Sequence, residues 1–185
     1  YPKITDSLIS AKNTWEKETI KITKENDKRA FTLGYSKALY TQLPTRDGEA
    51  HGNIKRSNQW PNDSFFTNWK SVNDSITWNV EILEDGRFQV ELYYTCPKID
   101  LGSIVELSFN NSKIAKKITE PHDPVLIGMN EDRVPRMESY VKEFKPLNLG
   151  VITLKKSSGK LTLKALEIEG SQVGDFRLLQ FKRIE

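Results

Sequence analysis

The residues able to do chemistry gather in two polar stretches. Residues 44–64 carry Arg46, Asp47, Glu49, His51, Lys55, Arg56 and Trp60, and residues 119–146 carry Glu120, His122, Asp123, Arg133 and Arg136. Nucleophilic catalysis of the Ser-His-Asp kind needs a His beside an activated Ser. The chain has 2 His and no Gly-x-Ser-x-Gly elbow. Cys96 is its one cysteine, which excludes an intrachain disulfide and a multi-cysteine zinc site. Placed at the end of an alternating run and before Pro97, it reads as a buried structural thiol. Asp47, Glu49 and His51 sit at i, i+2 and i+4, and Glu120, His122 and Asp123 are close in sequence. Such sets offer donors for calcium or a transition metal. Neither has a dedicated spacing, so they are read as loop charges and no metal or cofactor is assigned. The 10 glycines are scattered, with no phosphate-cradling turn after a strand.

Sugar binding suits these residues better. Trp60 and Trp69 flank the polar run Pro61-Asn62-Asp63-Ser64. An aromatic face against a sugar ring, with amides and guanidinium groups on its hydroxyls, follows the usual plan of an apolar wall with a few placed polar groups. Trp69 and Trp78 read as core residues, which leaves Trp60 as the ring to expose. Arg presents a planar fork to sulfate or carboxylate oxygens. The two stretches are therefore expected to meet in one polar groove, with Arg46, His51, Arg56, Trp60, His122, Arg133 and Arg136 as candidate carbohydrate-binding residues. A competing reading is internal: Arg46–Asp47 and Asp132–Arg133 pair across the two loops and hold them in place. Buried loop charges are usually paired, which favours the internal reading.

These stretches interrupt a regular pattern. Ile4, Leu8, Ala11, Trp15 and Ile22 repeat with helical period, which predicts a helix from about Pro2 to Lys24, capped by Thr5 or Asp6. Lys24 to Arg29 has no apolar residue and reads as the helix end and a linker. From Phe31 the period becomes 2. Ile76 to Ile82 and Phe88 to Tyr94 alternate on either side of Glu84-Asp85-Gly86-Arg87, a hairpin signal. Further alternating runs cover Ile104 to Phe109, Ile114 to Ile118, Val151 to Leu154, Leu161 to Ile168 and Phe176 to Ile184. Asn110-Asn111-Ser112 and Ser157-Ser158-Gly159 read as turns. Ala38 to Leu43 and Phe65 to Trp69 are weaker strand candidates. About nine strands and one helix predict an all-β chain: an antiparallel β-sandwich, jelly-roll-like, over 31–185, preceded by a helix and linker over 1–30.

At 185 residues one domain with an appendage is expected, large enough for a core without staples. A net charge of +3 is too mild to argue for a nucleic-acid partner. No apolar run approaches the roughly 18 residues that cross a bilayer, so no membrane partner is expected. The start, Tyr1-Pro2-Lys3, resembles neither an initiator nor a signal peptide, and the chain reads as a mature or excised piece of something longer.

A series of strings carries a family likeness. Thr45-Arg46-Asp47-Gly48, His51-Gly52, Ile54-Lys55-Arg56-Ser57, Pro61-Asn62, Phe65-Phe66-Thr67-Asn68-Trp69 and Ile76-Thr77-Trp78 come first. Val90 to Pro97, Val105 to Phe109, Thr119 to Pro124, Asp132 to Arg136 and Gly159 to Leu163 follow in order. Together they resemble the segment after the catalytic domain in bacterial sulfatases of the arylsulfatase A-like or N-acetylgalactosamine-6-sulfatase-like kind. The resemblance implies a non-catalytic C-terminal domain similar to β-sandwich carbohydrate-binding modules. Its implied partners are the catalytic domain of the same parent chain and a sulfated or neutral glycan. It implies a periplasmic or secreted location, and that the first helix closes the catalytic part. The alternative it leaves is a structural domain that packs on the catalytic domain and shapes its cleft without binding sugar. Such sulfatases use a formylglycine made from a Cys/Ser-x-Pro-x-Arg motif, and calcium held by Asp and Asn. Here Cys96-Pro97-Lys98-Ile99-Asp100 has Pro one place too early and no Arg, so no catalytic residue is assigned and calcium belongs to the implied parent alone.

Overall fold

A computed structural model describes residues 1–26 and 29–184, with 21–26 given by their backbone alone. The chain forms two compact units, Tyr1–Ala30 and Phe31–Glu185. The first is the helix α1 (Pro2–Asn26). Pro2 at its first turn lacks only an N–H that would have no helical partner. Thr5 does not cap it: its hydroxyl donates back to the Tyr1 carbonyl at 3.3 Å, within the first turn. Ile4, Leu8 and Trp15 of the expected apolar stripe are exposed. The side chain of Ile22, and the linker residues Asp27 and Lys28, lie outside the described residues. Among the described residues no helix is long and apolar enough to cross a membrane.

The second unit is an antiparallel β-sandwich of the jelly-roll kind. Its strands are β1 (Phe31–Leu33), β2 (Tyr40–Pro44), β3 (Glu49–His51), β4 (Lys55–Arg56), β5 (Phe66–Thr67), β6 (Ser75–Ile82), β7 (Gly86–Thr95), β8 (Ile104–Phe109), β9 (Ser112–Lys117), β10 (Lys145–Leu154), β11 (Ser157–Glu167) and β12 (Asp175–Arg183). One sheet runs β1-β6-β11-β8-β9, and β3 shares the outer edge of β6 with β1. The other runs β10-β7-β12-β5-β4, and β2 lies beside β12. Only the short β1–β6 pair is parallel.

Alternation sets what is buried. Ile76, Trp78, Val80 and Ile82 of β6 face Phe88, Val90, Leu92 and Tyr94 of β7 across the core, joined by Val105, Leu107, Leu161, Leu163, Phe176, Leu179 and Phe181. Each such side chain contributes roughly 1.5–3 kcal/mol on leaving water. Trp69 and Trp78 are both core residues.

Two turn expectations are corrected. β6 and β7 do not form a hairpin: they lie in different sheets, so Glu84-Asp85 crosses the sandwich. Gly86 already pairs with Leu154, and the Asp85 carboxylate takes Lys155 Nζ and the Lys156 amide at 2.8 and 2.7 Å. The crossing is held from the β10–β11 connection, not by a tight turn. Ser157-Ser158-Gly159 belong to β11. Asn110-Asn111 does turn the β8–β9 hairpin, with Asn110 at φ 51.

The 44–64 stretch is tied down by Asp74. This buried carboxylate accepts from the Asn53, Lys70 and Ser71 amides at 3.0–3.3 Å and from the Asn53 side chain. Gly52, at φ +78, lies so close that a Cβ there would stand 1.9 Å from the Asp74 carboxylate oxygen. Only glycine fits both the angle and the space.

Candidate functional site

The two polar stretches do touch. Asn58 Nδ2 donates to the Met137 carbonyl at 2.8 Å, Ser57 Oγ and Ser139 Oγ are 3.4 Å apart, and the Phe65 and Phe144 rings are 5.3 Å apart. The candidate residues are divided by this arrangement. Arg46 donates to the Pro61 carbonyl, and Arg56 to the Arg46 carbonyl. Arg46 Nε also stands 3.5 Å from Asp47. Arg136 grips Asp132 with two bonds of 2.7 and 2.9 Å and lies over the Tyr140 ring. The arginine–aspartate pairs are thus local to each loop. The expected pairing across the loops is replaced, and Arg136 takes the place given to Arg133.

The other three residues named with them scatter. His51 sits on β3, its Nε2 2.8 Å from Thr77 Oγ1 and 3.8 Å from Glu49. His122 pairs with Cys96 at the end of β7, in the other sheet, and its Nε2 is 3.1 Å from the Glu143 carbonyl. Trp60 is 42% exposed, with its amide on Asn58 Oδ1. Among the described residues no group of three His, Cys, Asp or Glu side chains stands together as metal ligands.

Cys96 lies fully buried between Thr95 and the His122 bridge, with backbone bonds of 2.7 and 2.9 Å to His122. Burial pushes its thiol up to about 11, and the carboxylates of Asp100, Asp123 and Asp175 add to the rise. A reactive cysteine needs the opposite shift. The folded chain is therefore expected to resist iodoacetamide at mildly alkaline pH and to react once denatured; fast alkylation of the native chain contradicts this. The raised value stabilises the fold fully below the ordinary thiol value of about 9.0, and this contribution is lost as pH climbs towards about 11.

A different polar array lies on the outer face of the second sheet. Register places Gln42 of β2 beside Gln180 of β12, Gln180 beside Glu91 of β7, and Glu91 beside Asn148 of β10. Gln42 Nε2 donates to Gln180 Oε1 at 2.9 Å, and Gln180 Nε2 to Glu91 Oε2 at 3.2 Å. The next row holds Tyr40, Lys182 and Gln89. Tyr40 is half exposed, with the Lys182 ammonium 5.9 Å from its ring centre. Tyr40, Gln89, Glu91, Gln180 and Lys182 line a shallow depression of about 120 Å³. Each amide in the row keeps further donors and acceptors for a ligand. Residue type alone does not single these positions out. Their signal was there, as the polar half of each alternating strand, but nothing in the chain order joins Gln42 to Gln180.

Known structures place the architecture. A family 35 carbohydrate-binding module from Clostridium thermocellum matches with TM-score 0.52 and 11% identity, covering 78% of this chain and 98% of the module. The two share one sandwich fold. The GH26-CBM35 β-(1,4)-mannanase of Podospora anserina matches with TM-score 0.53 and 9% identity, covering 79% of this chain and 28% of that one. The mosquito-larvicidal Cry4Aa toxin from Bacillus thuringiensis matches with TM-score 0.59 and 11% identity, covering 84% of this chain and 25% of the toxin. The chain thus spans about a quarter of the length of the mannanase and the toxin. No family model matches the chain, and no curated protein matches it in sequence.

Proposed function

We propose that the chain is a non-catalytic carbohydrate-binding domain that serves a sulfatase, holding a neutral or sulfated glycan near the catalytic part of a periplasmic or secreted parent. The observation that carries the binding role is the hydrogen-bonded row Gln42–Gln180–Glu91 beside the exposed Tyr40 ring. Rigid strands hold amides and a carboxylate in one row, with an aromatic face next to them, the apolar wall and placed polar groups that suit a sugar. The match over nearly the whole of a carbohydrate-binding module supports it, and the ordered sulfatase-like strings support the parent. The buried, raised Cys96 thiol and the absent formylglycine motif support a role without catalysis.

Glycan-array binding of the full chain tests this, followed by titration of the best glycan. Gln180→Ala and Tyr40→Ala are each expected to weaken binding about fivefold, the loss of about 1 kcal/mol. Both positions are on the solvent side, so melting should barely change. Absence of binding to every glycan overturns the binding role.

A second reading has its own observation. Val125, Val134 and Met137 of the long loop are exposed, at 84%, 77% and 72%. Apolar side chains set this far into water suit a surface that packs on another domain. In that reading the domain shapes a neighbouring catalytic cleft and binds no sugar. The array separates the two.

A further inference from the structure

We propose that the open margin between β9 and β10 is a second binding site, one that takes the negatively charged group of an anionic saccharide; this rests on the glycan-binding reading above. β9 ends one sheet and β10 ends the other. Near one end the margin is closed, where Ser112 Oγ donates to the Thr153 carbonyl at 2.6 Å. Towards the other end it opens into a cleft of about 570 Å³, lined by Tyr94, Lys116, Thr119, Glu120, Lys145 and Leu147, with the backbone of the β10 bulge.

Two lysines point into this cleft from opposite sheets. Lys116 stands opposite Val105 and Lys145 opposite Tyr94, and both of those partners are buried core residues. Residues directly opposite in a ladder project to the same face, so both ammonium groups lie on the inner side of their sheets. Lys145 pairs with Glu120, whose carbonyl also accepts from Tyr94 Oη at 2.7 Å. Lys116 has no ion pair among the described residues. Two cations therefore meet one carboxylate. The Lys145 contact holds the Glu120 carboxyl below its usual range, so the group stays charged and the balance does not change near neutral pH.

The walls complete the site. Leu147 and Tyr94 give an apolar side for the C–H face of a sugar ring, and the bulge gives polar backbone. Gly150, at φ +116, has open space where a Cβ would stand, so the cleft floor is not crowded. A carboxylate or sulfate ester on the ring would meet Lys116 directly and Lys145 in competition with Glu120. An inward lysine on an edge strand has another known use, which is to block pairing with a second sheet edge. That use explains one lysine against solvent. β10 is an edge strand too, so each lysine taken singly fits that use; the convergence of both on one cleft is what a bound anion explains.

The test uses the full chain with a hyaluronan tetrasaccharide, which carries carboxylates alone, a chondroitin 4-sulfate tetrasaccharide, and neutral cellotetraose. Titration calorimetry gives affinity and amide NMR shifts give location. Both anionic probes should move the amides of Lys116, Thr119, Glu120 and Lys145, and should weaken with salt. Tighter binding of the sulfated probe assigns the site to sulfate; equal binding assigns it to charge of either kind. Lys116→Gln should weaken the anionic probes about tenfold, as loss of a charge-assisted bond does. Glu120→Gln should tighten them, a gain that misfolding cannot produce. Cellotetraose should respond to neither. If anionic probes bind and ignore both substitutions, or if Lys116→Gln only promotes self-association, the cleft proposal is overturned while the sheet-face reading stands. If no probe of any charge binds, and the glycan array is empty as well, both fall.

Discussion

Trp69→Ala is expected to lower the unfolding free energy by about 4 kcal/mol, and the melting temperature by roughly 8–16 °C for a domain of this size. Trp69 is 0% exposed. Its ring meets Phe176 edge-on with centroids 5.2 Å apart. Its indole N–H donates to the Ser71 carbonyl at 3.2 Å, and its own carbonyl accepts from the Val173 amide at 2.9 Å. Truncation therefore empties a large volume beside Phe176 of β12 and removes one of two donors to the Ser71 carbonyl, which keeps the Asp74 amide at 3.0 Å. Trp60→Ala, in contrast, should change stability by less than about 0.5 kcal/mol, as an exposed substitution does. Urea unfolding of the two variants decides the matter. A Trp69 variant that melts like the parent and loses glycan binding would make this ring a ligand platform instead.

The second large effect concerns how the long loop is fastened. Lys142 Nζ lies 2.7 Å from Asp175 Oδ2, with the two side chains only 13% and 14% exposed. The ammonium also stands 5.5 Å from the Phe65 ring centre, and Thr95 Oγ1 donates to the same carboxylate oxygen at 3.3 Å. Lys142→Ala leaves a nearly buried carboxylate with one hydroxyl for company, and is expected to cost about 3 kcal/mol. Lys142→Met combined with Asp175→Leu should recover most of that, because neither charge then needs a partner. A double-mutant cycle by denaturant titration reads the coupling. A cost below about 0.5 kcal/mol for the single change would place the pair with ordinary solvent-screened surface bridges.

The sequence pattern revealed the faces of the strands better than their neighbours. Phe88, Val90, Leu92 and Tyr94 had to be buried together, and they are. Whether β7 pairs with β6 or faces it across the core could not be read, because both arrangements bury the same side chains. The Asp-Gly pair pointed to a hairpin on local chemistry; a distant lysine amide outbid it. The arginines show the same limit. Arg46, Arg56 and Arg136 carry the right group for an anion, yet backbone carbonyls and a neighbouring aspartate occupy them. Those acceptors carry no signature in sequence. Gln42 and Gln180 meet across 138 residues, through register alone.

The place of β12 has a consequence for how this protein is born. Its residues 175–183 form an inner strand, between β7 on one side and β2 with β5 on the other. As the chain leaves the ribosome, both neighbours exist before it does. Until then one edge of β7 is unpaired and the core lacks Phe176, Leu179 and Phe181. Closure joins β12 to strands far earlier in the chain, which makes it a late and slow event. During that wait two sticky strand edges are open to other chains, and a holding chaperone would have its strongest claim on the nascent domain at this stage.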